Sequence, residues 1–406
     1  MYKKHLRILI SFFALSLFCF SQKDGVKPVT SVVKTSKDIK TGADQTELYL
    51  PLLKGKSVAI VGNQTSVIGK THLADSLLSL KINLKKIFFP EHGFRGNEDN
   101  GAELNSYKDT KTGLLCISLY GNNKKPKAED LKDVDIVIFD LQDVGVRFYT
   151  YISTLHYVME ACAENKKLLI VLDRPNPNGY FVDGPVMEEK NKSFVGMHPV
   201  PVVYGMTIGE YAQMINGEGW LANKIKCDLK IITLKNYEHS DYYSLPVNPS
   251  PNLSSMSAIY LYPSLCLFEG TIVSVGRGTE KPFQQFGYPG MPNTKYSFTP
   301  QSIKGASENP PYKGQFCNGY NVSEYGEVFM KYNKQLYLFW IINSYKTCAT
   351  KDIFFNDYFL QLCGTDKLKQ QIIDGKTEEE IRKSWEPDLI KFKVIRKKYL
   401  LYKDFE

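Results

Sequence analysis

Asp135-Ile136-Val137-Ile138-Phe139-Asp140-Leu141-Gln142-Asp143 is the stretch on which the reading of the fold turns. A short, unbroken apolar run that stops at acidic residues reads as a strand buried on both faces. The pattern recurs on either side. Ser57-Val58-Ala59-Ile60-Val61 ends at Gly62-Asn63, Lys86-Ile87-Phe88-Phe89 at Pro90-Glu91, and Leu114 to Leu119 at Tyr120-Gly121. Downstream, Leu168-Leu169-Ile170-Val171-Leu172 ends at Asp173-Arg174. Between the runs, Leu73, Ser76, Leu77 and Leu80 have helical spacing, as do Leu155, Val158, Met159 and Cys162, and a short helix is expected near Glu129-Leu131.

Short apolar strands separated by amphipathic helices predict a parallel sheet covered on both faces. The expectation is an α/β protein with a Rossmann-like parallel-sheet domain over residues 46–290. A smaller α+β domain is expected over residues 291–406, where Pro310-Pro311 and Cys317-Asn318-Gly319 are loop-like. There, Leu336 to Ile342 is apolar enough for a core helix. Thr377 with Glu380 forms a capping box, Pro387 is expected to restart the chain, and Leu389, Phe392 and Ile395 form a last helical face.

The chain has 406 residues, 43% of them hydrophobic, with 26 Tyr and 23 Phe, which is enough for two or three cored domains and excludes a disordered chain. No segment recurs at a fixed period, so a solenoid is excluded too. Lys3, Lys4 and Arg7 precede an apolar run from Ile8 to Phe20, and Ser21-Gln22-Lys23-Asp24 turns polar. This reads as a secretory signal over 1–21, too short for a comfortable membrane span and with a membrane anchor as the alternative, followed by a flexible lead-in over 22–45. The mature protein is expected to be exported, periplasmic or extracellular, with no stable membrane span.

Lys3, Lys4 and Arg7 carry three of the formal +8 charges, leaving +5 after cleavage. That is not the dense basic stripe of a nucleic-acid binder, though it suits a mildly anionic partner such as a cell-wall polymer. The seven cysteines beyond the signal contain no CxxC pair, so neither a zinc knuckle nor a dense disulfide framework is indicated.

Asn63, Glu91, Tyr120, Asp140 and Asp173 all follow predicted parallel strands, whose carboxyl ends converge on one crevice in open α/β sheets. Glu91, before His92-Gly93 and near Phe88, Phe89 and Phe94, is placed to act as a general acid; the alternative is a glutamate that fixes the turn or pairs with Arg95. His92 reads as a structural histidine rather than a metal ligand, since no HExxH occurs.

Asp140 and Asp143 could hold a metal or divide into base and orienter, or Asp143 could simply cap a helix. Arg147 can hold a carboxylate bidentately, and Tyr149 and Tyr151 can stack on a sugar. Asp173-Arg174 before Pro175-Asn176-Pro177 serves equally as site or as loop architecture. Glu269 and Arg277 lie among glycines that let a ligand approach, or form a plain ion pair; Thr207 is expected to cap a helix. GxGxxG, P-loop and GxSxG motifs are all missing, so no nucleotide or nicotinamide cofactor is implied.

Six segments in series carry a resemblance. They are Pro90-Glu91-His92-Gly93-Phe94-Arg95-Gly96, Ser118-Leu119-Tyr120-Gly121, Asp140 to Tyr151, Asp173-Arg174-Pro175-Asn176-Pro177, Phe268-Glu269-Gly270-Thr271 and Gly276-Arg277-Gly278-Thr279. Together the chain over about 50–400 resembles the NamZ-type exo-β-N-acetylmuramidases, formerly catalogued as a domain of unknown function. The resemblance implies an exo-acting glycosidase that releases N-acetylmuramic acid from non-reducing ends of peptidoglycan fragments. It also implies a cleft between a Rossmann-like domain and a smaller carboxyl-terminal one. Glu91 matches the family's catalytic glutamate. Tyr204 departs from the pattern, standing before Gly205-Met206-Thr207 where His is expected in many relatives.

The expected site therefore has Glu91, Asp143 and Glu269 for the chemistry, the latter two as alternatives for the second group. Substrate would be held by Asn63, His92, Arg95, Tyr120, Asp140, Arg147, Tyr149, Asp173 and Arg277, with no metal and no cofactor. Glycoside cleavage needs an acid on the leaving oxygen and stabilisation of an oxocarbenium-like centre, which the substrate's own N-acetyl group can also supply. The lactyl carboxylate of muramic acid makes an arginine near the cleft sensible. Two other readings make different predictions. A muropeptide-binding protein would bind without freeing sugar, and a metal-dependent hydrolase using Asp140, Asp143 and His92 would lose activity in chelator.

Overall fold

The computed structural model describes residues 39–96 and 106–406. The segment 1–21, expected to be a signal, and the expected lead-in up to residue 38 lie outside the described residues. Residues 39–45, read as the end of that lead-in, are packed on the domain. Ile39 is buried, Lys40 and Lys235 exchange backbone hydrogen bonds, and the Gly42 N–H donates to the Asp173 carbonyl.

All five apolar runs form strands, and two more join them. The strands are β1 (Ser57–Gly62), β2 (Asn83–Phe89), β3 (Tyr107–Lys108), β4 (Leu115–Ser118), β5 (Ile136–Asp140), β6 (Leu168–Leu172) and β7 (Leu229–Ile232). They form one sheet in the order β3-β4-β2-β1-β5-β6-β7, parallel except for the short edge strand β3. Val61 of the central β1 lies opposite Phe88 on one side and Phe139 on the other. No apolar run announces β7, because Asp228 and Lys230 interrupt Leu229, Ile231 and Ile232 at this edge of the sheet.

The two-residue period of the strands divides the core. Val58, Ile60, Ile87, Ile138 and Ile170 point to one face, where α1 (Thr46–Leu53) and α2 (Leu73–Ser79) cover them with Tyr49, Leu53, Leu73 and Leu77. Ala59, Val61, Phe88, Val137 and Phe139 point to the other, under α3 (Tyr151–Glu164) and α4 (Ile208–Gly217). Thr207 caps α4 in a reciprocal box with Glu210, as its position predicts.

That second cluster continues unbroken into α5 (Met256–Leu265), α6 (Phe339–Thr347), α7 (Tyr358–Cys363) and α8 (Glu378–Lys397). The carboxyl-terminal third is therefore anchored on the same apolar mass as the sheet. It carries its own antiparallel sheet, β8 (Gln285–Tyr288), β9 (Ser297–Phe298) and β10 (Cys317–Asn321), in the order β8-β10-β9.

Two local expectations need correction. Leu336–Leu338 is not helical, and α6 begins only at Phe339. The Leu336 N–H donates to Asp183 and the Tyr337 N–H to Ser264, side-chain acceptors on other segments that fix these residues ahead of the helix. Pro387 does not restart the chain either; α8 runs through it for 20 residues. The proline is exposed, as is Lys383 one turn earlier, so water can take the carbonyl that loses its partner. Ile381, Trp385, Leu389 and Phe392 hold the helix to the core on both sides of it. Among the described residues no helix is long and apolar enough to cross a membrane, and all seven described cysteines are buried and unpaired.

A chain of buried rings runs through this core. His156 Nδ1 lies 2.9 Å from His198 Nε2, and His198 Nδ1 lies 3.0 Å from the Tyr211 hydroxyl. Burial lowers His156 and His72 to about 4 and His198 well below its ordinary value. The unfolded chain takes up these protons near pH 6.5, the folded chain only near or below pH 4. The stability these neutral rings contribute is thus complete above pH 6.5 and is lost as pH falls towards 4. Buried Asp143 and Asp173, whose carboxyls are raised, act with the opposite sign over the same range, so the test is a difference. Between pH 6.5 and 4 the urea midpoint of His156→Gln should fall less, or rise more, than that of wild type, and identical pH profiles would count against this account.

Candidate active site

The Glu91 turn is built by its neighbours. Pro90, with no N–H, ends the β2 ladder, and His92 (φ +73°) and Gly93 (φ +80°) both take the left-handed conformation directly after the glutamate. For a histidine that conformation is uncommon and marks a constrained position. Packing holds it, with the His92 ring buried and its Nε2 3.1 Å from the Ser250 hydroxyl. Half-buried Glu91 is thereby presented at the rim of a cavity of about 200 Å³.

Tyr120, Phe148, Tyr149, Tyr151, Phe194 and Tyr262 give this cavity a largely aromatic lining. Tyr149 stands edge-on to Tyr151 at 4.6 Å, and its hydroxyl donates to the Pro249 carbonyl at 2.8 Å. That bond ties the segment 248–252 across the sheet's carboxyl end. Cys266, Glu269, Arg277, Tyr358 and Leu362 come from the carboxyl-terminal third. Burial raises the Tyr151 and Tyr358 hydroxyls above their ordinary values, and the Glu91 charge adds to this at both. At Tyr358 the Glu269 carboxylate acts as well, so that ring senses acids from both sides of the cavity. Both phenols stay protonated hydrogen-bond donors.

The structure brings together Glu91, His92, Tyr120, Tyr149, Glu269 and Arg277. The other six expected site residues do not line the cavity. Asn63 is fully buried behind it, donating from Nδ2 to the Tyr151 hydroxyl at 2.7 Å and accepting from Thr65 on Oδ1. It orients a lining residue. Arg95 forks onto Asp109 (3.1 and 2.8 Å) and stacks on Phe94, facing a neighbouring hollow with Tyr107 and Lys108.

Asp140 is fully buried in a two-pronged ion pair with Arg174 (2.6 and 2.9 Å). Asp173 accepts from the Gly209 N–H and the Thr207 hydroxyl at the start of α4, and from the Tyr402 hydroxyl. Burial lifts its carboxyl to about 7. Arg147 holds no carboxylate. Enclosed completely, it donates to the carbonyls of Pro185, Val200, Leu362 and Cys363, and burial lowers it to about 10.

Asp143, expected as a possible partner of Glu91, sits behind the wall. Its Oδ2 accepts from the Tyr204 hydroxyl and the Gly145 N–H, and Oδ1 is buried with no partner. Burial lifts it to about 6 despite those donors. Tyr204, the residue that departs from the expected pattern, is thus the one that holds this carboxyl. Neither strand-end reasoning nor motif spacing pointed to Ser250, Tyr262 or Tyr358. Tyr358 stands far along the chain in α7, and only packing brings it here. Asp140, Asp143 and His92, the proposed metal triad, have separate partners, and among the described residues no three His, Cys, Asp or Glu side chains gather to hold a metal ion.

Comparison with known proteins bears on this site. The family model for exo-beta-N-acetylmuramidase NamZ matches in two parts, its N-terminal part over residues 58–257 and its C-terminal part over residues 260–402. The chain is 39% identical over 375 residues to the peptidoglycan beta-N-acetylmuramidase NamZ of Bacillus subtilis, covering 87% of this chain and 89% of that protein. Two crystal structures of DUF1343 family proteins from Bacteroides fragilis share the fold. One is 47% identical with a TM-score of 0.84, the other 29% identical with a TM-score of 0.73, and each comparison covers 90% of this chain and 99% of the other.

Proposed function

The chain belongs to the exo-β-N-acetylmuramidase NamZ family, and from that premise we infer that it is a glycosidase releasing N-acetylmuramic acid from the non-reducing ends of peptidoglycan fragments, with Glu91 as its general acid. The observation that carries the role of Glu91 is its presentation at the rim of a sugar-sized, aromatic cavity by a strained His92-Gly93 turn. Aromatic rings stack on the apolar faces of sugars, and the protonated Tyr358 hydroxyl offers a donor to ring substituents. A carboxylic acid at the edge of such a cavity can protonate the oxygen bridging the bound sugar to the next one as that bond breaks.

Incubation with the disaccharide carrying N-acetylmuramic acid at its non-reducing end, linked to N-acetylglucosamine, is the direct test. The two free monosaccharides are the expected products. Binding with no sugar released would support the muropeptide-recognition reading instead. The proposal includes export. Its support is the basic and apolar segment from Lys3 to Phe20, and the amino terminus of the mature chain, expected just after Ser21, is the measurement that checks it.

A further inference from the structure

Six arginines lie among the described residues, and five use their donors on the protein itself. Arg95, Arg174, Arg382 and Arg396 fork onto carboxylates, and Arg147 holds four carbonyls. Arg277 is different. Only its Nε is engaged, 2.5 Å from Glu269 Oε1. Nη1 is buried with no partner, and Nη2 makes no hydrogen bond to any described residue.

This unused edge is held still. Phe283 lies 5.0 Å from the guanidinium carbon and covers one face. The flanking Gly276 and Gly278 (φ +79° and +77°) pack too tightly for side chains; a Cβ on Gly278 would stand 2.4 Å from Pro310. Burial works against the charge of Arg277, but Glu269 more than offsets it, so the group stays cationic. The side chain keeps 13% of its surface open where it lines the same cavity as Glu91.

We propose that the Nη1–Nη2 edge of Arg277 recognises a carboxylate on the sugar bound in this cavity, and that Glu269 positions the guanidinium instead of taking part in bond cleavage. Resting on the muramidase reading above, the carboxylate is the lactyl group of N-acetylmuramic acid. A planar guanidinium edge matches a carboxylate in two parallel hydrogen bonds. N-acetylglucosamine has no such group and would leave the buried Nη1 unsatisfied, which is how a polar site rejects an analogue that lacks its partner. Glu269 suits the positioning role because its Oε1 already holds Arg277 and its Oε2 accepts from the Cys266 thiol at 3.5 Å.

The test compares an aryl β-N-acetylmuraminide with its lactyl methyl ester, which removes only the negative charge. Wild-type protein should prefer the free acid by about 10²–10⁴-fold in kcat/KM, the worth of two charge-assisted hydrogen bonds. Arg277→Gln and Arg277→Lys should reduce that preference to a few-fold and one intermediate value respectively, Lys being a point charge and not a fork. Glu269→Gln should reduce it in part, through KM more than kcat. A structural role for Arg277 would lower both substrates together, and a preference surviving in Arg277→Gln overturns the proposal.

Calorimetry with N-acetylmuramic acid and its methyl ester asks the same question without turnover. A wild-type protein that binds the acid selectively but hydrolyses neither substrate would sink the glycosidase reading while leaving Arg277 in its role. Turnover with an unaltered preference in Arg277→Gln would do the reverse.

Discussion

Glu91→Gln is expected to leave the protein folded and to cut hydrolysis of the N-acetylmuramic acid disaccharide by about 10²–10⁴-fold, the contribution of a positioned general acid. Glutamine keeps the shape and one acceptor of the carboxyl but has no proton to give. Because Glu91 is half-buried at a cavity rim and not inside the core, the substitution removes chemistry with little packing. The size of the loss should depend on the leaving group. A sugar alcohol leaves poorly without protonation, whereas an activated phenol needs little help, so the aryl muraminide should lose less than the disaccharide. Equal losses on the two substrates would assign Glu91 some task other than acid catalysis. Unfolding midpoints of variant and wild type should agree within the usual range for surface changes, about 0.5 kcal/mol.

Arg147→Met is expected to act in the opposite way, on stability before activity. The guanidinium is enclosed and holds four backbone carbonyls from three separate segments, those of Pro185, Val200 and the end of α7 at Leu362 and Cys363. Methionine fills much of the volume but leaves those acceptors buried without donors. Each orphaned polar group costs on the order of 1–3 kcal/mol, so a total above about 4 kcal/mol is expected. Against a typical domain stability of about 5–15 kcal/mol that is a large fraction. The variant should show a much lower urea midpoint or fail to accumulate. A near-wild-type midpoint would mean that water reaches these carbonyls and that Arg147 is not a brace. Since Leu362 also lines the cavity, any folded Arg147→Met should have a raised KM.

Arg147 and Arg277 show how far residue type and motif membership go. Both lie in motif segments, both are arginines, and both were expected to hold substrate. One is surrounded by carbonyls and the other keeps its terminal edge for a ligand. The acids divide in the same manner. Asp140 ends β5 and Asp173 follows β6 as regularly as Glu91 follows β2, but Arg174 neutralises the first and the start of α4 encloses the second.

Strand-end reasoning treats all these positions alike. Which of them remain open depends on the partners that tertiary packing sets beside them, Arg174 at Asp140, the start of α4 at Asp173 and Tyr151 at Asn63. Asn63, after the central β1, is enclosed by Thr65 and Tyr151, whereas Glu91 and Tyr120, after β2 and β4, line the cavity.

The linear order of residues was enough to determine five of the seven strands of the main sheet, their parallel pairing, the helix cap at Thr207, the capping box at Thr377, and the position of Glu91 on a turn. These depend on periodicity and local backbone chemistry, which act over a few residues. Tertiary structure alone decided which charged groups are neutralised and which face a ligand. It also brought Tyr262, Glu269 and Tyr358 to the same cavity as Glu91. A charged side chain takes its role from whatever lies within hydrogen-bond reach, and in this fold such a partner stands as much as 229 residues away along the chain, as Tyr402 does from Asp173.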